Sequence, residues 1–584
     1  MRLKPSSSTT CSVKQQGTDL HNDALILALK QTACMAMAAG LLCACNAPPD
    51  EPGPRDVAKG FVDVSEEVGL DFVHNAGVDG SYFMPEIIGA GIALFDHDDD
   101  GDLDIYLVDS GPHDGTSGGG TNRLYSQEPD GRFVDRTDAS GLGDNGYGMG
   151  TALGDIDNDG DLDLFVSNYG EDVLYRNDGD GRFSDITAAA DIRGEEWSTS
   201  ACFLDYDNDG WLDLYVAGYV HDRPAKACTD SAGRKEYCGP MTYRGVADRL
   251  WHNEGDGRYS DASRAGGIAG GAGKGLGVVS ADFNHDGKPD IFVANDGEAN
   301  NLWIGDSKGR FEDQALMMGV AYNSFGKPEA SMGIALGDLN ADRKLDLYVT
   351  HLVRETNTLY TGADGGMQDS TGLTGSGAES MPYTGFGTAF LDADNDGDLD
   401  LAVANGRVTR NDSGAAGNLD DAYGEPNLLY LNEGDGRLQN GCARAGDFCK
   451  KSHVSRGLVT GDIDGDGDLD IVVSNGHGPA QQFRNDLPDS QNWLMVRAID
   501  PRLNRDAIGA TVEVIAGGLQ MIRPVTSCYS YLSSSEATTH FGLGKTDRVD
   551  EIRVTWPDGT IEAFPGVDAN RTVTLERGAE APIT

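Results

Sequence analysis

The stretch Asp155-Ile-Asp-Asn-Asp-Gly-Asp-Leu-Asp163-Leu-Phe-Val166 decides how this chain folds. Its first nine residues carry carboxylates at positions one, three, five and nine, with glycine at position six. A hard cation held by six to eight oxygens at about 2.3–2.6 Å needs short carboxylates at this spacing and a sharp turn that glycine permits. Seven copies occur along the chain. Their candidate ligands are Asp96, Asp98, Asp100 and Asp104; Asp155, Asp157, Asp159 and Asp163; Asp205, Asp207, Asp209 and Asp213; and Asp282, Asn284, Asp286 and Asp290. The last three copies offer Asp338, Asn340, Asp342 and Asp346; Asp392, Asp394, Asp396 and Asp400; and Asp462, Asp464, Asp466 and Asp470. Calcium is the first choice of ion, up to seven in all. Magnesium prefers a tighter octahedron with several waters, and zinc or copper prefers His and Cys, which the loops almost lack. His97 and His285 stand at positions the ligand pattern does not use.

What flanks the loops separates the possible folds. An EF-hand carries Glu at position twelve and a helix on each side. Position twelve here is Leu107, Val166, Val216, Val293, Val349, Val403 or Val473, inside a short apolar run that reads as a buried strand. The copies recur every 50 to 77 residues, too far apart for a back-to-back acidic array and right for one supersecondary unit per copy. A glycine-bearing strand precedes the loop, as in Gly148-Met-Gly150, Gly275-Leu-Gly277 and Gly385-Phe-Gly387, and implies close backbone approach at a crowded axis. A third strand follows with Leu-Tyr or Leu-Trp at its centre, from Leu124-Tyr125 to Leu429-Tyr430, then a fourth such as Arg182-Phe-Ser-Asp185. Four strands per unit in seven units predict an all-β, seven-bladed β-propeller followed by a small β-rich domain. The seventh unit stops after its third strand, near Asn485. Phe61-Val-Asp-Val64 fits the missing fourth strand and would sew the ring shut.

These units resemble FG-GAP or VCBS repeats, the calcium-binding blades of integrin α-chains and of many secreted bacterial proteins. Residues 491–578 resemble an ASPIC/UnbV domain through Asn492-Trp-Leu494, Asn504-Arg-Asp506, Ser530-Tyr-Leu-Ser533, His540-Phe-Gly-Leu-Gly544 and Val554-Thr-Trp-Pro-Asp-Gly559. The pairing is similar to the cartilage acidic protein family, with the propeller over 61–487. Composition agrees: a net charge of −50 with 80 glycines fits an acidic, loop-rich β protein and excludes the basic face of a nucleic-acid binder. The loops are unequal. Asn284 and Lys288 weaken the fourth, and Arg343 in place of glycine with Lys344 makes the fifth the weakest.

The first sixty residues read as targeting. An apolar core over 32–44, too short to span a bilayer, ends in Leu42-Cys-Ala-Cys45, which resembles a bacterial lipobox. Residues 1–45 are therefore expected to be a signal peptide with Cys45 as the lipid-bearing residue, and 46–60 a proline-rich tether outside the cytoplasm; ordinary secretion is the alternative. Of the remaining cysteines, Cys228 with Cys238 and Cys442 with Cys449 are expected to form disulfides, Cys202 to be a buried thiol, and Cys528 is unassigned.

No nucleophile elbow, phosphate loop or zinc-protease motif occurs. His74 with Glu86 would frame a pocket, or Glu86 would brace the first loop. Arg505-Asp506 and His540 read as an ion pair and a packed imidazole, and Trp197, Trp211 and Trp251 as blade packing. Two functional classes stay open: a calcium-braced binding or adhesion module facing a protein or polysaccharide, and an enzyme or maturation factor acting through the propeller face or the C-terminal domain. The insertions at 220–246, 406–426 and 437–453 are the expected seats of specificity, because long loops on a rigid scaffold carry function.

Overall fold

The structure is a computed structural model that describes residues 60–112, 120–194, 196–222, 226–410, 422–487 and 491–583. The leader, Cys45 and nearly all of the tether lie outside the described residues, as do parts of the insertions at 220–246 and 406–426. No described helix is long and apolar enough to cross a membrane.

Each acidic loop delivers the chain into a strand whose composition dictates a central place in a sheet. Asp163–Asn168 is buried at every residue. It pairs antiparallel with Gly148–Gly154 on one side and Val173–Asn177 on the other, and Phe183–Asp185 completes the sheet. A near-continuous apolar run suits a strand covered on both faces. The same order of four strands recurs in seven sheets among the described residues. The first strands of successive sheets adjoin in a closed circuit: Ile92–Phe95, Gly148–Gly154, Ser198–Leu204, Gly275–Ala281, Ile334–Gly337, Gly385–Leu391, Ser455–Gly461 and back to Ile92–Phe95. This is a β-propeller. Glycine is required on that inner circuit, since a Cβ on Gly277 would lie 2.2 Å from Met332 O and one on Gly387 2.6 Å from Arg456 O. In the sheet containing Ser455–Gly461, the fourth strand is Phe61–Asp63, paired antiparallel with Gln481–Asn485.

The C-terminal part forms two facing sheets. Asn492–Asp500 pairs antiparallel with Thr539–Gly544 and parallel with Arg571–Glu576. The second sheet runs Leu519–Pro524, Thr511–Ala516, Glu551–Thr555, Ile561–Pro565. Thr511–Ala516 alternates half-buried and buried residues, and Leu494, Val496, Val512, Val514, Ile552 and Val573 meet in the core between the sheets. Each such side chain contributes roughly 1.5–3 kcal/mol of burial.

One hairpin leaves this sandwich and enters the propeller. Its arms, Cys528–Tyr529 and Ser533–Ser535, pair with each other, and Ser533–Ser535 pairs parallel with the inner strand Ile92–Phe95. The tip reaches several inner strands at once: Ser530 N donates to Ile334 O, Thr151 N to Leu532 O, and Leu532 N to Ser200 Oγ. Tyr531, fully buried, donates from its hydroxyl to Ile88 O at 3.0 Å. The hairpin also carries Cys528 to Cys202 in the strand Ser198–Leu204, and the two form a disulfide. The expectation of a buried Cys202 thiol is thus corrected: its partner lies 326 residues away, where no sequence pattern points. Cys228–Cys238 and Cys442–Cys449 are also disulfides.

Candidate metal centre

The seven loops share one backbone conformation. Position six has positive φ in every copy: Gly101, Gly160, Gly210, Gly287, Arg343, Gly397 and Gly467. Arg343 adopts φ 66°, where a side chain costs roughly 1–2 kcal/mol, so the fifth loop keeps the fold of the others in spite of its sequence. In the second loop the amides of Asp159 and Gly160 donate to the two oxygens of Asp155 at 3.2 and 2.9 Å. The fifth repeats this, with Asp342 N and Arg343 N on Asp338 at 3.0 and 2.9 Å.

The ninth position is buried throughout: Asp104, Asp163, Asp213, Asp290, Asp346, Asp400 and Asp470 are at most 2% exposed. Each accepts one amide from position two of its own loop and one from the third strand, as Asp163 does from Ile156 and Asn177, both at 2.7 Å. The ninth carboxylate therefore fastens the loop to its sheet, a role its place in the ligand pattern does not reveal.

A second tie joins neighbouring sheets. The side-chain amide of Asn177 donates to His97 O, that of Asn253 to Ile156 O, Asn432 to Leu339 O, Asn485 to Ala393 O and Gln127 to Ile463 O, at 2.8–3.1 Å. In each case a third strand grips position two of the preceding sheet's loop, and Gln127 makes the link between the first and seventh loops. Sequence reasoning missed these residues, although Asn recurs after Leu-Tyr-x or Leu-Trp-x at 177, 253 and 432.

Burial and like charges act together on the carboxylates. Burial, reinforced by Asp159 and Asp157, pushes Asp155 up to about 7. Burial lifts Asp213 to about 9 and Asp290 and Asp346 to about 7. It lifts Asp392 to about 8 and Asp205 and Asp462 to about 6. Asp163, Asp400 and Asp470 are raised well above the usual carboxylate value for the same reason. Asp157 Oδ1 and Asp462 Oδ1 are buried without a hydrogen-bond partner. Orphaned hard oxygens in a crowd of carboxylates fit a calcium ion, and ligand atoms of Asp155, Asp157 and Asp163 lie within 4.8 Å of one another. Histidines also join such groups. His97 stands with Asp98 and Asp104, its Nδ1 bonded to Asp104, and His252 stands with Asp207 and Asp213, 3.0 Å from Asp213 Oδ1. His97 is therefore closer to the first loop's carboxylates than its sequence position implies. His252 comes from the third strand, 39 residues beyond Asp213.

The C-terminal sandwich lies over these loops. Arg505 is 3.6 Å from Asp205, Gly542 N donates to Asp392 Oδ2 at 3.1 Å, His540 Nε2 donates to Gly467 O at 3.1 Å, and Arg343 is 3.7 Å from Glu513. Arg505 and Asp506 are not an ion pair. Asp506 binds Arg497 at 2.7 Å, and Arg505 reaches Asn158 Oδ1 at 3.0 Å. His540 is buried, which lowers its pKa to about 4.

His74 and Glu86 do not frame a pocket together. His74 bonds Gly476 O and Ser110 Oγ, while Glu86 accepts from Tyr237 in the 220–246 insertion at 2.9 Å rather than bracing the first loop. That insertion meets the next, since Tyr423 donates to Glu236 at 2.7 Å and Arg410 N donates to Glu236 at 3.1 Å. Beside it lies a groove of about 890 Å³ lined by residues that include Tyr169, Trp197, His221, Asp222, Arg249 and Trp251. Trp197 and Trp251 are buried as blade packing, and Trp211 is half-buried.

Comparison with known proteins agrees with this architecture. The FG-GAP-like repeat model matches residues 96–166, 155–216, 241–293 and 282–349, and the ASPIC and UnbV model matches 500–582. Cartilage acidic protein 1 of Homo sapiens is 27% identical over 322 residues, 53% of this chain and 37% of that protein. The Mus musculus protein is 26% identical over 351 residues, 56% of this chain and 42% of that protein. The chain thus spans less than half the length of the curated relatives it matches. Among solved structures, YCF48 bound to D1 peptide matches 70% of this chain and 99% of its own at 10% identity and a TM-score of 0.37. Saccharomyces cerevisiae Sqt1 matches 68% and 96% at 9% identity and 0.36. Superpositions this loose carry no argument. The chain thus carries FG-GAP-like repeats in a propeller and an ASPIC and UnbV domain, and over just over half its length it is similar to cartilage acidic protein 1.

Proposed function

We propose that this protein is an extracytoplasmic binding module in which calcium ions in the seven acidic loops brace the scaffold, and the face away from those loops meets a protein or polysaccharide. The observation that carries the proposal is the division of the two faces. The acidic loops lie under the C-terminal sandwich, while the insertions meet on the other side beside the groove at Trp197 and Arg249. Calcium would supply the positive charge that the clustered carboxylates otherwise lack; the chain's own amides orient the ligand oxygens in advance. Three disulfides and kinship with proteins named for cartilage support an extracytoplasmic place. In this reading Cys45 carries a lipid anchor.

A glycan array and a proteomic pull-down on the calcium-loaded full chain test the binding role. Capture by the native protein, lost when His221→Ala and Arg249→Ala are combined without a change in melting temperature, is the expected result. Capture that survives the double substitution contradicts the assignment of the face.

A further inference from the structure

Between the propeller's acidic-loop face and the C-terminal sandwich lies a cavity of about 520 Å³. Leu94, Leu336, Phe390 and Trp493 give it apolar wall; Arg523, His540, Glu536 and Tyr529 bring polar groups to it. Two of these are buried with atoms left over. Arg523 is 8% exposed and spends Nη1 on Ile522 O, while its Nε and Nη2 have no partner. His540, also 8% exposed, uses Nε2 to donate to Gly467 O, which leaves Nδ1 as an unpartnered acceptor.

Buried guanidinium donors left unpaired lose their hydration with nothing in return, so the pattern needs an explanation. The nearby carboxylates do not provide one. Asp392, Asp338 and Asp398 act on Arg523 by charge but leave its Nε and Nη2 without a hydrogen bond; Asp392 Oδ2 accepts from Gly397 N and Gly542 N, and Asp338 from Asp342 N and Arg343 N, while Asp506 is taken by Arg497 and Glu536 accepts from Thr538 at 2.8 Å. The Nε and Nη2 edge of arginine is a planar fork that matches the two oxygens of one carboxylate. An acceptor such as His540 Nδ1 beside it calls for a hydroxyl on the same molecule.

We infer that this cavity is a binding site for a small hydroxy carboxylate, its carboxylate on the Arg523 fork and a hydroxyl donating to His540 Nδ1. The other carboxylates at the wall, Asp96, Asp99, Asp392 and Asp462, belong to the acidic loops, and the inference rests on those loops holding calcium, which offsets their repulsion of an anion. The ligand is either a free hydroxy acid or the uronate end of a glycan, and the size of the cavity favours no more than a sugar or two.

Isothermal titration calorimetry on the full chain, with calcium content verified by metal analysis, uses L-malate, D-galacturonate, trigalacturonate and, as the control without a carboxylate, D-galactose. Metal analysis separates failure of the calcium reading from failure of this one. Binding of malate or galacturonate about tenfold or more tighter than galactose is expected. Arg523→Lys, which keeps the charge but not the fork, should weaken it about tenfold at an unchanged melting temperature. Equal binding of galacturonate and trigalacturonate supports a glycan end, and binding of the monomeric acids alone supports a free acid. If the calcium-loaded chain binds neither acid at millimolar concentration, or the lysine variant with native melting temperature binds as the native chain does, the inference falls.

Discussion

Cys202 and Cys528 are joined across 326 residues, with Cα atoms 5.3 Å apart, and this bond ties the C-terminal hairpin to the inner strand of the propeller's third sheet. A cross-link closing so long a loop contributes about 2–5 kcal/mol. Replacing both cysteines by serine should therefore lower the melting temperature and expose the 526–535 segment to proteolysis, read by limited digestion and mass spectrometry. Native melting and an unchanged digestion pattern would count against the tie.

Tyr531 fills the centre of the ring, packed edge-on against Phe386 with ring centroids 4.8 Å apart. Tyr531→Ala should cost about 3–5 kcal/mol, as truncation of a buried aromatic does. Thermal melting of the variant checks it, and a loss near zero means that Tyr531 does not hold the inner strands together.

Asn253 links the third sheet to the second through Ile156 O at 2.9 Å and also donates to Leu212 O at 3.2 Å. Asn253→Ala leaves Ile156 O without this partner, while Leu212 O keeps the Tyr259 hydroxyl at 3.1 Å, and should cost about 1–3 kcal/mol. Urea unfolding of the variant measures this; a cost no larger than that of an exposed substitution such as Asn145→Ala would reject the inter-sheet tie.

Stability without calcium should depend on pH in a definite direction. Asp155 and Asp392 are pushed up to about 7 and about 8, above the unfolded carboxylate value of about 4. The folded state therefore binds more protons than the unfolded state across that window, so stability is present below it and is lost as pH rises through the folded values. Metal-free protein should melt lower at about pH 8 than at about pH 5, and the gain from added calcium should be larger at the higher pH because protons and calcium compete for the same oxygens. Melts with chelator that rise between those pH values would overturn the electrostatic account.

The loops and strands were legible because their signals are local. Asp155 to Asp163 carries its own turn, and Leu164-Phe-Val166 its own strand. The ninth aspartate's bond to the third strand, the Asn253 tie and the Cys202–Cys528 bond are contacts between distant segments, and nothing in the spacing of residues encodes which segments meet. Glu86 illustrates the limit: it stands ten residues before the first loop, yet it binds Tyr237, 151 residues on. His252 was missed for the same reason. The recurrence of Asn at 177, 253 and 432 was the one signal in the sequence that pointed to the inter-sheet ties.

Calcium removal tests the central claim most directly. A site held at about ten times its dissociation constant contributes roughly 1.4 kcal/mol, so seven contribute roughly 10 kcal/mol, comparable to a domain's whole stability. Differential scanning calorimetry of the full chain before and after chelation, with metal content measured in both samples, should show several bound calcium ions and a large drop in melting temperature on their removal. An unchanged melt in protein shown to have lost its calcium would contradict the account.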